Sequence, residues 1–463
     1  MKRRAFLAAG GAGATFALAG AGGYGLARAA RPASLPLEIQ PARFAVTGAV
    51  TEGMVSLSPD APPPVIRMRQ GRPFAADLVN RLEDYTTMHW HGIRVPNAMD
   101  GVPYLTQFPL GHGDRYRYAF TPQDAGTYWY HPHCMTMEQM ARGLTGVIVV
   151  EEAEDPGFDR DLALNLRDFR LGDDGQFIDL FTPRGAARAG TLGTVMTANW
   201  RTDFARDLPA GSLLRLRLVA SDTTRIYKLF LDGGEGQVVA LDGHPLRAPV
   251  PWPSENAPLV LSPGQRADLA LRLPSEEGRH LRLMALTGAR RHPLATLRAV
   301  GRNRGRDLRE LSALPANPLS EPDLAGATRH EFVFGWSPDG RLPNNGFCGS
   351  LGYTFWSINR EAWPGDAVAE TGPLARLKRG ESTILRLRNE SPNSHPIHLH
   401  GLAFRPVASN KRKVSSNWTD TALLLRNETL DIALVADNPG RWAFHCHVIE
   451  HQKTGLAGYI EVA

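Results

Sequence analysis

At 463 residues the chain is too long for one hydrophobic core, and 46 glycines and 35 prolines among short apolar-alternating runs point to an all-β protein rich in turns. The formal charge of +5 is largely a property of the N-terminal leader, where Lys2, Arg3, Arg4 and Arg28 stand without an acid. The remainder is near neutral and has no basic stripe of the kind nucleic acid requires, so no nucleic-acid partner is expected.

Lys2-Arg3-Arg4-Ala5-Phe6-Leu7, then a weakly apolar Ala/Gly run ending at Ala27-Arg28-Ala29, reads as a twin-arginine signal over residues 1–30, cleaved near Ala29 or Ala30 or kept as an anchor. That reading implies passage through the Tat translocase in the folded state and a periplasmic location. No other stretch is apolar enough for stable membrane insertion.

Beyond a spacer, Val65–Leu82 alternates apolar and polar residues about a glycine, as two strands would. His89-Trp90-His91-Gly92, Asp100-Gly101 and Gly126–His133 follow, and Gly143–Val150 closes the unit as an apolar strand. The layout returns near the C-terminus. Gly71, Asn80 and His89 are spaced by nine, as are Gly380, Asn389 and His398; Gly126 precedes His131 by five, as Gly440 precedes His445. A third copy lies between them. Gly211, Ala220 and Leu229 repeat the nine-residue spacing, and Gly278 precedes Leu283 by five, so Leu229-Phe230-Leu231 and Leu283-Met284-Ala285 stand where the other copies have His-x-His. The repeat divides the chain into units at 31–155, 156–300 and 330–463, with a link at 301–329 rich in Arg, Pro and small residues.

Fifteen histidines placed at random would give about half of one His-x-His pair, and the sequence has four. On a strand such a pair presents two imidazoles on one face, which a metal needs and an apolar core does not. If Trp442–Val448 is a strand, His445 and His447 share one face and Cys446 takes the other, placing two metal sites back to back. A thiolate with His451 suits a copper that passes single electrons, and paired imidazoles suit copper that handles oxygen. Since the pairs come from the first and last copies, the oxygen site belongs between them. Cys134 and Cys348 either pair or remain two buried thiols.

The four segments HWHG at 89–92, YWYHPH at 128–133, HPIHLHG at 395–401 and HCHVIEH at 445–451, in this order, resemble the multicopper oxidases, and the resemblance covers essentially the mature chain. It implies three consecutive cupredoxin-like Greek-key β-barrels and four copper ions. His395, Cys446 and His451 would hold a type 1 copper, and His89 and His398 a type 2 copper. His91, His131, His133, His400, His445 and His447 would hold a type 3 pair. His112, His244, His280, His292 and His330 are left as ordinary surface or core residues. The resemblance further implies O2 as a substrate, electrons arriving through the edge of His451 and passing from Cys446 to His445 and His447, and Asp100 helping to deliver protons, although Asp100-Gly101 is equally a turn dipeptide. Leu456, ten residues past Cys446, stands where relatives place Met or a residue that cannot bind, and leaves the type 1 copper three-coordinate.

The reductant is not named by these motifs. A phenol or aromatic amine, as for a laccase, is favoured by Leu456 and by the lack of a methionine-rich insertion. A periplasmic cuprous or other metal oxidase is favoured by export and by the soft cluster Cys134-Met135-x-Met137-x-x-Met140. A copper-free scaffold of the cell-division type is disfavoured because all eleven ligand positions are filled. Lys411-Arg412-Lys413 lies in a polar loop that could border access to the type 1 site. A chain carrying all three copies closes its own oxygen site and is expected to be a monomer.

Overall fold

The computed structural model describes residues 33–338, 348 and 351–463. The leader expected over 1–30 lies outside them. Among the described residues no helix is long and apolar enough to cross a membrane.

Strands dominate, and they assemble into six sheets, two in each third of the chain. The alternating runs that suggested strands bury one face each; Ile66–Arg69 alternates strictly between buried and exposed residues. Facing sheets enclose three separate cores. One is built on Trp90, Tyr118 and Tyr128, one on leucines such as Leu216, Leu269 and Leu283, and one on Trp356, Phe404 and Trp442.

The copies share a topology as well as a spacing. In each, the first long strand pairs in parallel with a later one: Leu35–Ala45 with Phe74–Asn80, Arg160–Phe169 with Leu213–Ala220, Thr328–Trp336 with Ser382–Asn389. In each, a second parallel pair closes the opposite sheet: Ile66–Arg69 with Gly146–Glu151, Phe204–Pro209 with Arg290–Val300, Ala375–Leu377 with Ala457–Val462. Parallel neighbours cannot be joined by a hairpin, so the chain crosses between sheets and wraps each unit into the Greek-key barrel of a cupredoxin.

The nine-residue spacing has a local cause. The Asn80 side chain donates to the carbonyls of Asp84 and Leu110 and accepts from the amide of Leu82; Asn389 does the same with Asn393, Leu425 and Ser391. Each asparagine ties down the loop that leads into a histidine strand. Ala220 of the middle copy has no such side chain, and there the register differs. His89 faces His131 and His398 faces His445, but Leu229 faces Ala285 and it is Leu231 that meets Leu283. Relative to the outer copies the middle pairing is therefore shifted by two residues, a slip that keeps every side chain on its own face.

Candidate metal centres

The last histidine strand runs Gly440–Cys446, beginning and ending two residues before the expected Trp442–Val448. Within it His445 and Cys446 point to opposite faces as alternation requires. His447 lies past the strand end, held by its amide donating to the Pro396 carbonyl at 2.6 Å. A short helix, Ile449–Lys453, then brings His451 back toward Cys446.

On the Cys446 face three buried donors converge. Cys446 Sγ lies 3.6 Å from Nδ1 of both His395 and His451, and those two nitrogens are 3.1 Å apart. The outer nitrogen of each ring is engaged elsewhere, His395 Nε2 with the Ser391 hydroxyl at 2.8 Å and His451 Nε2 donating to the Arg188 carbonyl at 2.6 Å. With its Nε2 carrying the proton, His451 turns a bare Nδ1 lone pair inward. Burial pushes the Cys446 thiol well above its ordinary value, so only a cation in the trigonal space would hold the thiolate. Leu456 is fully buried in the same core as Cys446, its carbonyl accepting from the Cys446 amide and its amide donating to the His451 carbonyl.

On the other face eight imidazoles from the first and last units meet: His89, His91, His131, His133, His398, His400, His445 and His447, all buried. Hydrogen bonds at their outer nitrogens aim most of them. Nδ1 donates to the Asp100 carbonyl in His89 (2.8 Å), the Pro132 carbonyl in His131 (3.0 Å), the Asp420 carbonyl in His398 (2.8 Å) and the Cys446 carbonyl in His445 (2.9 Å). His400 Nδ1 binds Asp100 Oδ2 at 2.9 Å. Nε2 of His89, His131 and His398 is left buried without a partner, as are Nδ1 of His91 and both ring nitrogens of His447. Unpaired buried lone pairs are costly unless a cation takes them. Desolvation, reinforced by neighbouring imidazoles, holds His131, His133, His400 and His447 well below the usual histidine value, so the rings are neutral and free to bind a metal. Both faces thus offer the donor types copper prefers, sulfur with nitrogen on one and nitrogen alone on the other.

All eleven expected ligands therefore fall into two clusters joined through the Cys446 backbone. Asp100, also expected, is fully buried and braces two rings at once, through its carboxylate and its carbonyl. The five histidines set aside belong to neither cluster.

Several other expectations change. His451 is completely buried, capped by the middle unit's Arg188 carbonyl, so its edge does not meet solvent. Cys134 and Cys348 form a disulfide between the first and last units, which removes the cysteine from the soft cluster. Met137 and Met140 of that cluster are core residues packed with Trp129 and Val147. The basic loop lines a cleft with Asp242, Gln265 and Trp418, and Arg412 is committed to Glu428 at 3.0 Å; the groups over His451 are Arg188 and Trp356.

Sequence reasoning missed Asp420. Its Oδ1 lies 3.1 Å from His91 Nε2, and its two oxygens take a bidentate bond from Arg266 of the middle unit at 2.8 and 2.6 Å. Burial opposes its charge, yet Arg266 and His91 hold Asp420 well below the usual carboxylate range. The acid stands in a loop with no counterpart spacing elsewhere, so no repeat could have marked it. Gly264, in the expected turn at Ser262–Arg266, was likewise unrecognised: its carbonyl accepts from the Trp129 indole, and a Cβ added there would stand 3.2 Å from the rings of His447 and His91.

A family model described as multicopper oxidase matches residues 38–155 and another of the same description matches 349–463. The crystal structure of a multicopper oxidase from Pseudomonas thermotolerans is 40% identical with a TM-score of 0.82, the match covering 93% of this chain and 99% of that one. A second, from Pseudomonas parafulva, gives 40%, 0.82, 93% and 100%. Among curated proteins, multicopper oxidase MmcO of Mycobacterium tuberculosis is 28% identical over 93% of this chain and 88% of its own length.

Proposed function

The chain belongs to the multicopper oxidases, copper-dependent oxidoreductases that use O2, and from that premise we propose that it couples one-electron oxidation of a phenolic or aromatic amine reductant to four-electron reduction of O2 to water. The observation that carries the assignment is the sorting of eleven buried donors into a His2Cys trio and a set of eight imidazoles, back to back on one strand end. We assign His395, Cys446 and His451 to a type 1 copper, His89 and His398 to a type 2 copper, and His91, His131, His133, His400, His445 and His447 to a type 3 pair, four ions in all. Copper bound there supplies one-electron exchange at the thiolate site and oxygen reduction at the imidazole site.

The chain's own residues set the conditions for that chemistry. The Cys446 backbone, continuous with His445 and His447, is the shortest covalent route between the two sites. Asp100 Oδ2 fixes His400 through Nδ1 while its carbonyl fixes His89, and its buried carboxylate is the nearest acid to both rings that can hold a proton bound for oxygen. Arg266 neutralises Asp420 and so keeps a second buried carboxylate from drawing protons onto His91 and His398. Leu456, buried in the same core as Cys446, offers no donor atom, so a type 1 copper held by His395, Cys446 and His451 would gain no fourth ligand from it and its potential would be raised.

A reductant of the laccase kind is supported by the loss of Cys134 from the soft cluster to a disulfide. The same bond, with the twin-arginine leader, supports work in the periplasm. One chain supplies both halves of the imidazole site, which supports a monomer. The test is O2 uptake by copper-loaded protein with a dimethoxyphenol and with chelated Cu(I) as sole reductants. Faster turnover of the phenol is expected; the reverse order would make the protein a cuprous oxidase.

A further inference from the structure

The edge of His451 that the family resemblance offers to a reductant is closed. The loop after the short helix Pro183–Ala186 lays the Arg188 carbonyl on His451 Nε2, and Glu450 clamps the end of that segment by accepting from the amide and hydroxyl of Thr191, the hydroxyl at 2.7 Å. A reductant that touched His451 directly would first have to lift a segment held at both ends.

A second way to the same two rings is already built. Trp356 is fully buried, its ring centroid 4.7 Å from that of His451 and 5.1 Å from that of His395. Its indole N–H donates to the Ala186 carbonyl at 2.7 Å, which fixes the ring against the cap. Directly across the sheet stands Trp336, the last residue of Thr328–Trp336, stacked on Trp356 at 4.3 Å with 15° between the planes. Trp336 is 46% exposed, among the most exposed large hydrophobic residues of the chain. A lone exposed hydrophobic is ordinary, but this one is stacked in register on the indole that touches both His395 and His451. Here one face covers Trp356 while nearly half of the residue's surface stays exposed.

We propose that Trp336 is the docking platform for a planar aromatic reductant, and that electrons reach the type 1 site through the Trp336–Trp356 stack rather than through a solvent-facing edge of His451. The inference rests on the type 1 assignment made above. A phenol stacked on Trp336 lies two indoles from both ring ligands. On oxidation it loses one electron to the type 1 site and its hydroxyl proton to water, leaving a phenoxyl radical. The indoles begin and end the step unchanged, serving as the medium between donor and acceptor. Trp336 touches substrate; Trp356 is a positioning residue that holds the stack against the histidines.

The experiment uses the copper-loaded enzyme and its Trp336→Leu, Trp336→Phe and Trp336→Ala variants. Affinity is read by titration calorimetry with 1,3-dimethoxybenzene, which stacks like the phenol but has no hydroxyl to oxidise. Anaerobic bleaching of the blue absorption by 2,6-dimethoxyphenol is followed in parallel. Stacking of one aromatic ring predicts a fall in analogue affinity of about three- to tenfold in Trp336→Leu and Trp336→Ala, with a matching rise in KM, and near-native values in Trp336→Phe. Unchanged affinity and bleaching in Trp336→Leu would overturn the proposal and mean that the reductant reaches His451 by displacing the Arg188 segment. Failure of the native enzyme to develop a blue colour would instead overturn the type 1 assignment, so the two failures are distinguishable.

Discussion

Two unprotonated imidazole nitrogens do not face each other at 3.0 Å without something between them, yet Nε2 of His400 and Nε2 of His445 do so while each Nδ1 is engaged by an oxygen. The arrangement suits a metal-binding site and would be poor core packing. His244 provides the contrast. It too is buried, but its Nδ1 accepts from the Asn317 side chain at 3.0 Å, and burial pushes it down to about 4 against the pull of Asp124. An unfolded histidine titrates near 6.5, so above that pH His244 costs nothing; as pH falls toward 4 the unfolded chain binds the extra proton and stability drops. His244→Gln should therefore flatten the pH dependence of unfolding between pH 6.5 and 4 by up to about 1.4 kcal/mol per unit. Urea unfolding at several pH values checks this, and parallel curves would show that His244 is not buried neutral. Asp420 makes the opposite case, a charge kept. Asp420→Asn leaves Arg266 buried without its bidentate partner and should cost about 3–5 kcal/mol. Adding Arg266→Met should recover part of that loss in chemical denaturation, because the stranded charge goes with it.

At the scale of elements, the site is made by strand ends and turns rather than by whole strands. The histidine strand His89–His91 is three residues long, and what aims it is the loop tied by Asn80. This explains how much of the centre was legible. The four His-x-His pairs were readable because strand alternation and the nine- and five-residue spacings are properties of the chain itself, whereas His395 and the complete set of eleven came only with the family resemblance. Arg188, Asp420 and Gly264 were not, because their contacts at the site cross between units, and neither was Trp356, which reaches His395 and His451 by tertiary packing inside the last unit; no local period encodes either. Gly264 turns at φ +94 and an added Cβ would come within 3.2 Å of the rings of His447 and His91. Gly264→Ala should lower copper content at the imidazole site while the blue absorption persists, and should cost about 1–3 kcal/mol through backbone strain alone. Equal loss of both would mean that the turn supports the whole fold rather than the one site. The disulfide belongs to this scale too. Cys134→Ser with Cys348→Ser opens a link spanning 214 residues and should lower stability by about 2–4 kcal/mol. Retention of the blue colour in that double variant would show that the bond is structural and separate from the type 1 donors.

Across the whole molecule, three cores that share no strands are held together by apolar clusters and hydrogen bonds that cross the units, with Trp129 and Val147 of the first packing against Val219 of the middle and Ile449 of the last. Among those contacts, the first and last units meet through the imidazole cluster, the Cys134–Cys348 disulfide and Arg94 on Asp437, the first and middle through Thr127 on Asp268, and the middle and last through Arg266 on Asp420 and the Arg188 cap on His451. One of these contacts is the imidazole site itself and another covers the His2Cys trio, so copper should act on the cohesion of the fold as well as on the chemistry. A ligand that binds only the assembled state stabilises it by about 2.7 kcal/mol at one hundred times its Kd, and the imidazole site exists only while the first and last units are docked. Removing copper with a chelator under reducing conditions that spare the disulfide should therefore uncouple the units. The loaded protein should show one calorimetric transition, and the copper-free protein should unfold at lower temperature in more than one step. A single step at the same temperature in both forms would mean that apolar and ionic contacts alone hold the units in register, and that the eight imidazoles are pre-arranged for copper without contributing to assembly.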